Sequence, residues 1–241
     1  MTLFGALKSF SQDLLEFVFP PLCPACDERV NEEDCGVCGQ CRDELRPVGR
    51  PWCELCGKPF NQPGDICPGC EELEPLLARA RSSYRFENVA RQLVHQLKFD
   101  DRVELAKPLA RMMYVTWSEA LETERFDLIL PVPLHAVRQR ERGYNQSELL
   151  ARELAELTNM PLEVYALERI RPTKTQTSLD SQQRWQNVRG AFSVVRRDAV
   201  GGAKLLLIDD VATTCATGRA CAEALSEAGA SAVTLLTFAR A

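Results

Sequence analysis

"KLLLIDDVATTCATGRACAEAL", Lys204 to Leu225, decides how the chain is read. Leu205, Leu206, Leu207 and Ile208 form an unbroken apolar run, the pattern of a central strand covered on both faces. Asp209 and Asp210 follow at its carboxyl end, the edge where open α/β sheets bind ligands. Thr213, Thr214 and Thr217 then offer hydroxyls, and the residues from Thr217 to Ala228 read as a helix whose first backbone N–H groups can hold an anion. Carboxylates beside an anion cradle suit a ligand that carries both hydroxyls and phosphate. A ribose 5-phosphate is such a ligand: acids accept from the 2- and 3-hydroxyls while loop amides hold the phosphate. An ATPase strand, which also ends in Asp, would need a GxxxxGK[ST] loop elsewhere, and the sequence has none.

Outward from this strand, residues 76–241 alternate strand-like and helix-like segments, which predicts an α/β domain with a mainly parallel sheet. Strands are expected at Arg81–Phe86, Phe126–Val132, Leu162–Leu167, Ala191–Val195, Lys204–Asp209 and Ala232–Phe238. Helices are expected at Val89–Lys98, Arg102–Glu122, Gln146–Thr158 and Thr217–Ala228.

Residues 22–75 have a different composition. Nine of the chain's 11 cysteines lie between Cys23 and Cys70. C-x-x-C pairs suit Zn²⁺, because two thiolates one turn apart reach the same tetrahedral ion. Pairing Cys38 with Cys41 gives a first site of Cys23, Cys26, Cys38 and Cys41 that matches the second, Cys53, Cys56, Cys67 and Cys70, in loop length. Cys35 is then spare; pairing Cys35 with Cys38 instead would shorten the first loop. The result is a tandem of two structural zinc ribbons, with Gly39, Gly57 and Gly69 at the knuckles. Residues 1–21, with Leu3, Phe4, Leu7, Phe10, Leu14, Phe17 and Val18 at helical spacing, read as an amphipathic helix too polar to span a membrane. It docks on a neighbouring domain or lies on a membrane surface. With no signal-peptide pattern, a cytoplasmic location is expected. A net charge of −5 argues against a surface built throughout to hold nucleic acid, though a local basic patch fits.

"LLLIDDVATTCAT" (205–217) resembles the phosphoribosyl pyrophosphate (PRPP) signature of type I phosphoribosyltransferases, and the ribbon-then-α/β layout resembles the ComF family (ComF/GntX-like). Further landmarks are "LVHQLKF" (93–99), "LPVPLH" (130–135), "RERGYNQS" (140–147) and "TQTSLDSQQRWQNVRGAF" (175–192). The resemblance implies a type I phosphoribosyltransferase fold, Rossmann-like with a mainly parallel sheet, behind a small N-terminal double zinc ribbon. It implies PRPP bound with Mg²⁺: Asp209 and Asp210 on the ribose hydroxyls, and Thr213, Thr214, Cys215, Ala216 and Thr217 on the 5-phosphate. Pro131, Val132 and Pro133, running on to His135, would form the pyrophosphate loop, followed by Arg138, Arg142, Asn145 and Gln146. Arg171, Lys174, Gln176 and Arg184 would lie in a flexible cover. It also implies phosphoribosyl transfer to an acceptor that the sequence does not name, and a link to competence and DNA uptake.

Two positions depart from the wider superfamily. Many members have Gly where this chain has Cys215; if the position needs a left-handed backbone, a side chain there costs about 1–2 kcal/mol. A thiol beside a helix N-terminus is either simple packing or a group of lowered pKa. Purine-type enzymes have an acid where this chain has Thr213, which cannot act as a general base at neutral pH, so no catalytic residue is assigned. The competing reading is a non-catalytic module that senses PRPP or a nucleotide and binds single-stranded DNA or a competence-machinery protein. Its support is the ribbons and basic loops as holding surfaces and the aromatics Trp52, Phe60, Tyr84, Tyr144 and Trp185 as stacking faces, whereas the basic segment Arg169–Arg189, five Arg or Lys against one Asp, favours phosphate binding. His135 borders the pyrophosphate loop as a phosphate donor or a loop anchor; His95 and Cys221 read as packing residues.

Overall fold

The computed structural model describes residues 20–30, 36–61, 66–71, 74–173 and 180–241. Nearly all of the expected N-terminal helix, together with Cys35, Lys174 and Gln176, lies outside the described residues. The chain divides into two compact units, Met1–Leu45 and Arg46–Ala241.

The two ribbons repeat one local design. In the first, the Cys23 N–H donates to the Glu28 carbonyl and the Asp27 N–H to the Cys23 carbonyl. In the second, Cys53 N–H donates to Lys58 and Gly57 N–H to Cys53. The fifth residue of each turn is left-handed, Asp27 at φ 60° and Gly57 at φ 67°, which curls the backbone N–H groups around sulfur. Helix α1 (Gly39–Asp43) completes the first ribbon, and the Cys38 sulfur accepts from the Cys41 N–H at its start. Helix α2 (Pro68–Glu71) completes the second. The second ribbon belongs to the same unit as the sheet. Its knuckle presses on the first strand: the Ala80 N–H donates to the Leu55 carbonyl at 2.6 Å. A Cβ on Gly57 would stand 2.4 Å from the Ala80 oxygen, so only glycine fits there.

After the ribbon come β1 (Arg79–Arg85), α3 (Asn88–Phe99), a 3₁₀ turn, α4 (Ala106–Glu124), β2 (Leu128–Pro131), α5 (Ala136–Arg142) and α6 (Gln146–Thr158). Then follow β3 (Leu167–Arg169), α7 (Ser181–Val188), β4 (Phe192–Val194), α8 (Arg197–Val200), β5 (Lys204–Ala212), α9 (Ala216–Glu227) and β6 (Ala232–Arg240). The main sheet runs β1-β6-β5-β2, and its strand pairs are parallel. The β5 run sits at its centre as expected, with Leu205 to Ile208 at most 1% exposed. This is the mainly parallel α/β domain expected from the sequence, with zinc ribbons before it. Residues 46–48 cover the outer edge of β1, where Val48 N–H donates to Ser83 and Arg85 N–H to Arg46.

Two strand expectations need correction. Leu162–Leu167 is not one strand: Leu162 bridges Ile129, bends intervene, and only from Leu167 does β3 form, antiparallel to β4 as a separate two-stranded ribbon. Strand β5 does not stop at Asp209 but runs to Ala212, paired with Arg240 of β6.

Candidate functional site

The two acids at the end of β5 serve different partners, because successive side chains of a strand face opposite ways. Asp210 is buried at 3% exposure, and its Oδ2 lies 2.6 Å from the Lys98 ammonium at the end of α3. Its other oxygen accepts from the Val211 N–H at 2.7 Å. Asp209 accepts from the Ser147 hydroxyl at 2.7 Å, at the start of α6, and from the Asp210 N–H at 2.9 Å. Burial and the adjacent Asp210 charge push the Asp209 carboxyl up to about 7, against the pull of Lys98 and Ser147.

The loop from Thr213 to Cys215 joins β5 to α9. Thr214 Oγ1 is buried with no hydrogen-bond partner. Cys215, the N-cap of α9, is left-handed at φ 58°, the conformation for which the sequence position suggested glycine. Its side chain, 5% exposed, turns toward the second ribbon. The Arg240 guanidinium lies 2.8 Å from its sulfur, and the Cys56 carbonyl lies 3.8 Å away. Burial pushes the thiol pKa up, so the low-pKa alternative is not the one the fold realises. Gly218, in the first turn of α9, allows the helix to sit tightly on β6: a Cβ there would meet Leu235 at 2.6 Å.

Pro131 ends β2 and Val132 continues from it, both buried, with Pro133 half-buried beyond. Asn145 ties this loop to α6, donating from Nδ2 to the Val132 carbonyl at 3.0 Å and accepting from the Ser147 N–H. His135 caps α5 by accepting from Val137 N–H, the loop-anchoring role. Arg142 reaches Gln146 and lies over the Phe99 ring, while Arg138 is exposed beside Glu141. Arg171 donates to the Asn187 and Arg189 carbonyls, tying the start of the cover to α7, which also carries Arg184. His95 is exposed, stacked near Phe99, rather than packed inside.

Four neighbours of these residues were given no individual role by the sequence: Lys98, Ser147, Arg169 and Arg240. Arg169, on β3, lies within electrostatic range of Asp209, Arg138 and Arg171; burial lowers its pKa, while Cys221 and Asp209 favour its charge. The basic segment thus places a guanidinium near the strand-end acid through a strand.

The cysteines converge as two sets, Cys23, Cys26, Cys38, Cys41 and Cys53, Cys56, Cys67, Cys70, with all sulfurs of a set within 4.8 Å of one another. Cys26 and Cys38 sulfurs are 3.6 Å apart, and Cys56 and Cys67 sulfurs 3.8 Å. Four thiolates about 2.3 Å from a tetrahedral Zn²⁺ stand roughly 3.8 Å apart, so both sets fit the ion. Zinc held by these residues cross-links each ribbon.

A prediction follows from Asp209. A carboxyl whose pKa rises on folding makes the folded state bind more protons than the unfolded one, so stability falls as pH climbs from about 4 to about 7 and then levels. Asp209→Asn removes this slope. At pH 8 it should raise stability by about 2 kcal/mol, a Tm gain of a few degrees, and at pH 4 it should have little effect. Thermal melts of the zinc-loaded protein across this range check it; a gain independent of pH would refute it.

Among the described residues no helix is long and apolar enough to cross a membrane. The double zinc ribbon domain family matches residues 14–71. Competence protein F of Haemophilus influenzae is 28% identical over 91% of this chain and 96% of its own. DNA utilization protein YhgH of Salmonella typhi is 32% identical over 92% of this chain and 97% of its own. Of solved structures, the purine phosphoribosyltransferase of Pyrococcus horikoshii overlays 55% of this chain and 72% of its own, at 13% identity and a TM-score of 0.36. Identity of nearly one third over most of both chains is the mark of common descent, and the chain belongs to the ComF family.

Proposed function

We propose that the β5–α9 loop binds PRPP with Mg²⁺ and that the protein transfers the phosphoribosyl group to an amine-type acceptor. The observation that carries this is the pairing of Asp209, poised near neutral pKa at the strand end, with the unpartnered buried hydroxyl of Thr214 before a helix N-terminus. Asp209 accepts from ribose hydroxyls, and Thr214 with the first N–H groups of α9 donates to the 5-phosphate. With Cys215 turned toward the ribbon, its Cβ does not by itself crowd that cradle. In transfer, the anomeric C–O bond to pyrophosphate breaks, a C–N bond to the acceptor forms, pyrophosphate leaves and the amine gives its proton to solvent. This needs no general base at Thr213. Mg²⁺ bound with PRPP would offset the charge growing on pyrophosphate. Arg169 and Arg138 act on the same charge. Lys174 and Gln176 belong to the cover in this reading.

The names of the relatives above support a role in DNA uptake or use, in the cytoplasm, where the ribbon thiols stay reduced. A second reading, a sensor of PRPP or a nucleotide without catalysis that binds single-stranded DNA or a competence-machinery protein, is favoured by Asp210, whose Lys98 pairing leaves one acid of the pair for the ligand.

Calorimetric titration of PRPP with Mg²⁺ into the zinc-loaded protein tests the site. Saturable binding is expected, weakened at least about tenfold by Asp209→Asn, which spares the Lys98–Asp210 pair. No binding by the unchanged protein would refute transfer and PRPP sensing, and would leave nucleotide sensing with a single-stranded DNA or protein partner. Pyrophosphate release that requires an added amine separates transfer from sensing.

A further inference from the structure

We propose that the chain carries a second small-ligand site, for a planar ring bearing one carboxylate, between α4, the sheet and the second ribbon. A cavity of about 150 Å³ lies there. Its floor is one face of the sheet, where Arg79, Thr234 and Leu206 stand in register on β1, β6 and β5. Trp117 of α4 and Trp52 of the ribbon line its walls. Leu206 precedes Asp209 by three positions, roughly 10 Å of strand, and its side chain faces the opposite way, so this cavity is separate from the loop that follows β5.

Three polar atoms among the lining residues are buried without a partner: the indole nitrogens of Trp52 and Trp117 and the hydroxyl of Thr234. Thr234 is 5% exposed. Indole N–H groups only donate, so the lining asks for acceptors. Leaving such donors unmet costs free energy, which a ligand oxygen restores once the side chains turn to present them to the cavity. The charges agree. Arg81 pairs with Glu54 at 2.8 Å and Arg79 with Glu124 at 2.6 Å, while Arg50 lies over the Trp52 ring at 5.0 Å. Three cations face two carboxylates in this lining, an excess that one anionic group neutralises.

Size and shape set the rest of the ligand. Leu206, Leu236 and Leu121 supply apolar surface, and a cavity of about this volume holds a single benzene ring. The two indole rings, with centroids 5.6 Å apart and tilted by 47°, are too close to sandwich a ring between them, so the ligand lies beside them.

The chain's three tryptophans make the test direct, because Trp185→Phe leaves only the two at the cavity. Benzoate is titrated into this zinc-loaded full-length variant and fluorescence is followed, with benzamide as the neutral isostere. A saturable change with half-saturation below about 1 mM is expected for benzoate, and binding at least tenfold weaker for benzamide. Thr234→Val, which keeps the side-chain shape, is expected to weaken benzoate about tenfold. No saturable change up to about 10 mM, or equal binding of benzoate and benzamide, overturns the proposal. That comparison uses one protein, so it stands even if Thr234→Val fails to fold. It also reads nothing from PRPP, so its outcome is independent of the function proposed above.

Discussion

Replacing Lys98 with methionine should cost the Arg46–Ala241 unit about 3–5 kcal/mol at pH 8, because it strands the Asp210 carboxylate in the interior. The Asp210 side chain is 4% exposed and its ion pair with Lys98 is 2.6 Å long. Methionine fills the same space and offers no charge. The effect should depend on pH. Without Lys98, Asp209 loses a cation that holds its pKa down, so its folded pKa rises further above the unfolded value, and the Asp210 carboxylate is left without its partner. The deficit is therefore smaller near pH 4, where taking up a proton relieves the buried charge, and grows as pH rises through 7. Adding Asp210→Asn to Lys98→Met removes the stranded charge and should recover most of the loss. Urea unfolding of the zinc-loaded proteins reads this as a shift in midpoint at constant slope. A loss below about 1 kcal/mol would mean that water reaches Asp210 and that the pair acts as a surface bridge. The consequence for function is a division of labour. Asp210 fastens α3 to the sheet, which under the proposed function leaves Asp209 as the acid that would meet a ribose.

How much of this was legible depended on distance along the chain. The apolar run of β5 declared a central strand because burial on both faces leaves no polar position, and the periodicity of 146–158 gave α6 its observed limits. The cysteine pairing was readable because a ligand knuckle is built from neighbours. Some local signals were overlooked: Asp180 and Gln183 form a capping box that opens α7 within the expected cover segment. Leu162–Leu167 misled, because a run of strand-prone residues does not say where hydrogen-bond partners end. The partners of the site residues were out of reach. Lys98 meets Asp210 and Arg240 meets Cys56 only because the parallel crossovers bring distant segments to one edge, and no local pattern encodes that.

Arg240 carries the last prediction. Its guanidinium, on the final residue of β6, donates to the Cys56 carbonyl at 2.9 Å and lies 2.8 Å from the Cys215 sulfur and 3.6 Å from the Cys56 sulfur. Burial alone would lower its pKa, but its contacts with the Cys215 and Cys56 sulfurs raise it, so it stays cationic in the interior. One side chain thus braces a ligand of the second zinc site and the residue that starts α9. Donors to a ligating sulfur typically contribute 10–100-fold to metal retention. With a chromophoric chelator, Arg240→Ala should make one of two zinc ions leave at least about tenfold faster, while the other leaves at its former rate. The spared ion is that of Cys23, Cys26, Cys38 and Cys41, since its ligands belong to the other compact unit. Arg240→Lys keeps the charge but not the fork that spans both sulfurs, so it should recover only part of the retention. Equal release from both sites would refute the brace. If it holds, the left-handed turn at Cys215, which costs about 1–2 kcal/mol on its own, is maintained by the zinc-clamped ribbon behind it. PRPP binding at the loop should then weaken whenever the second zinc is lost, and stay unchanged when only the first is removed.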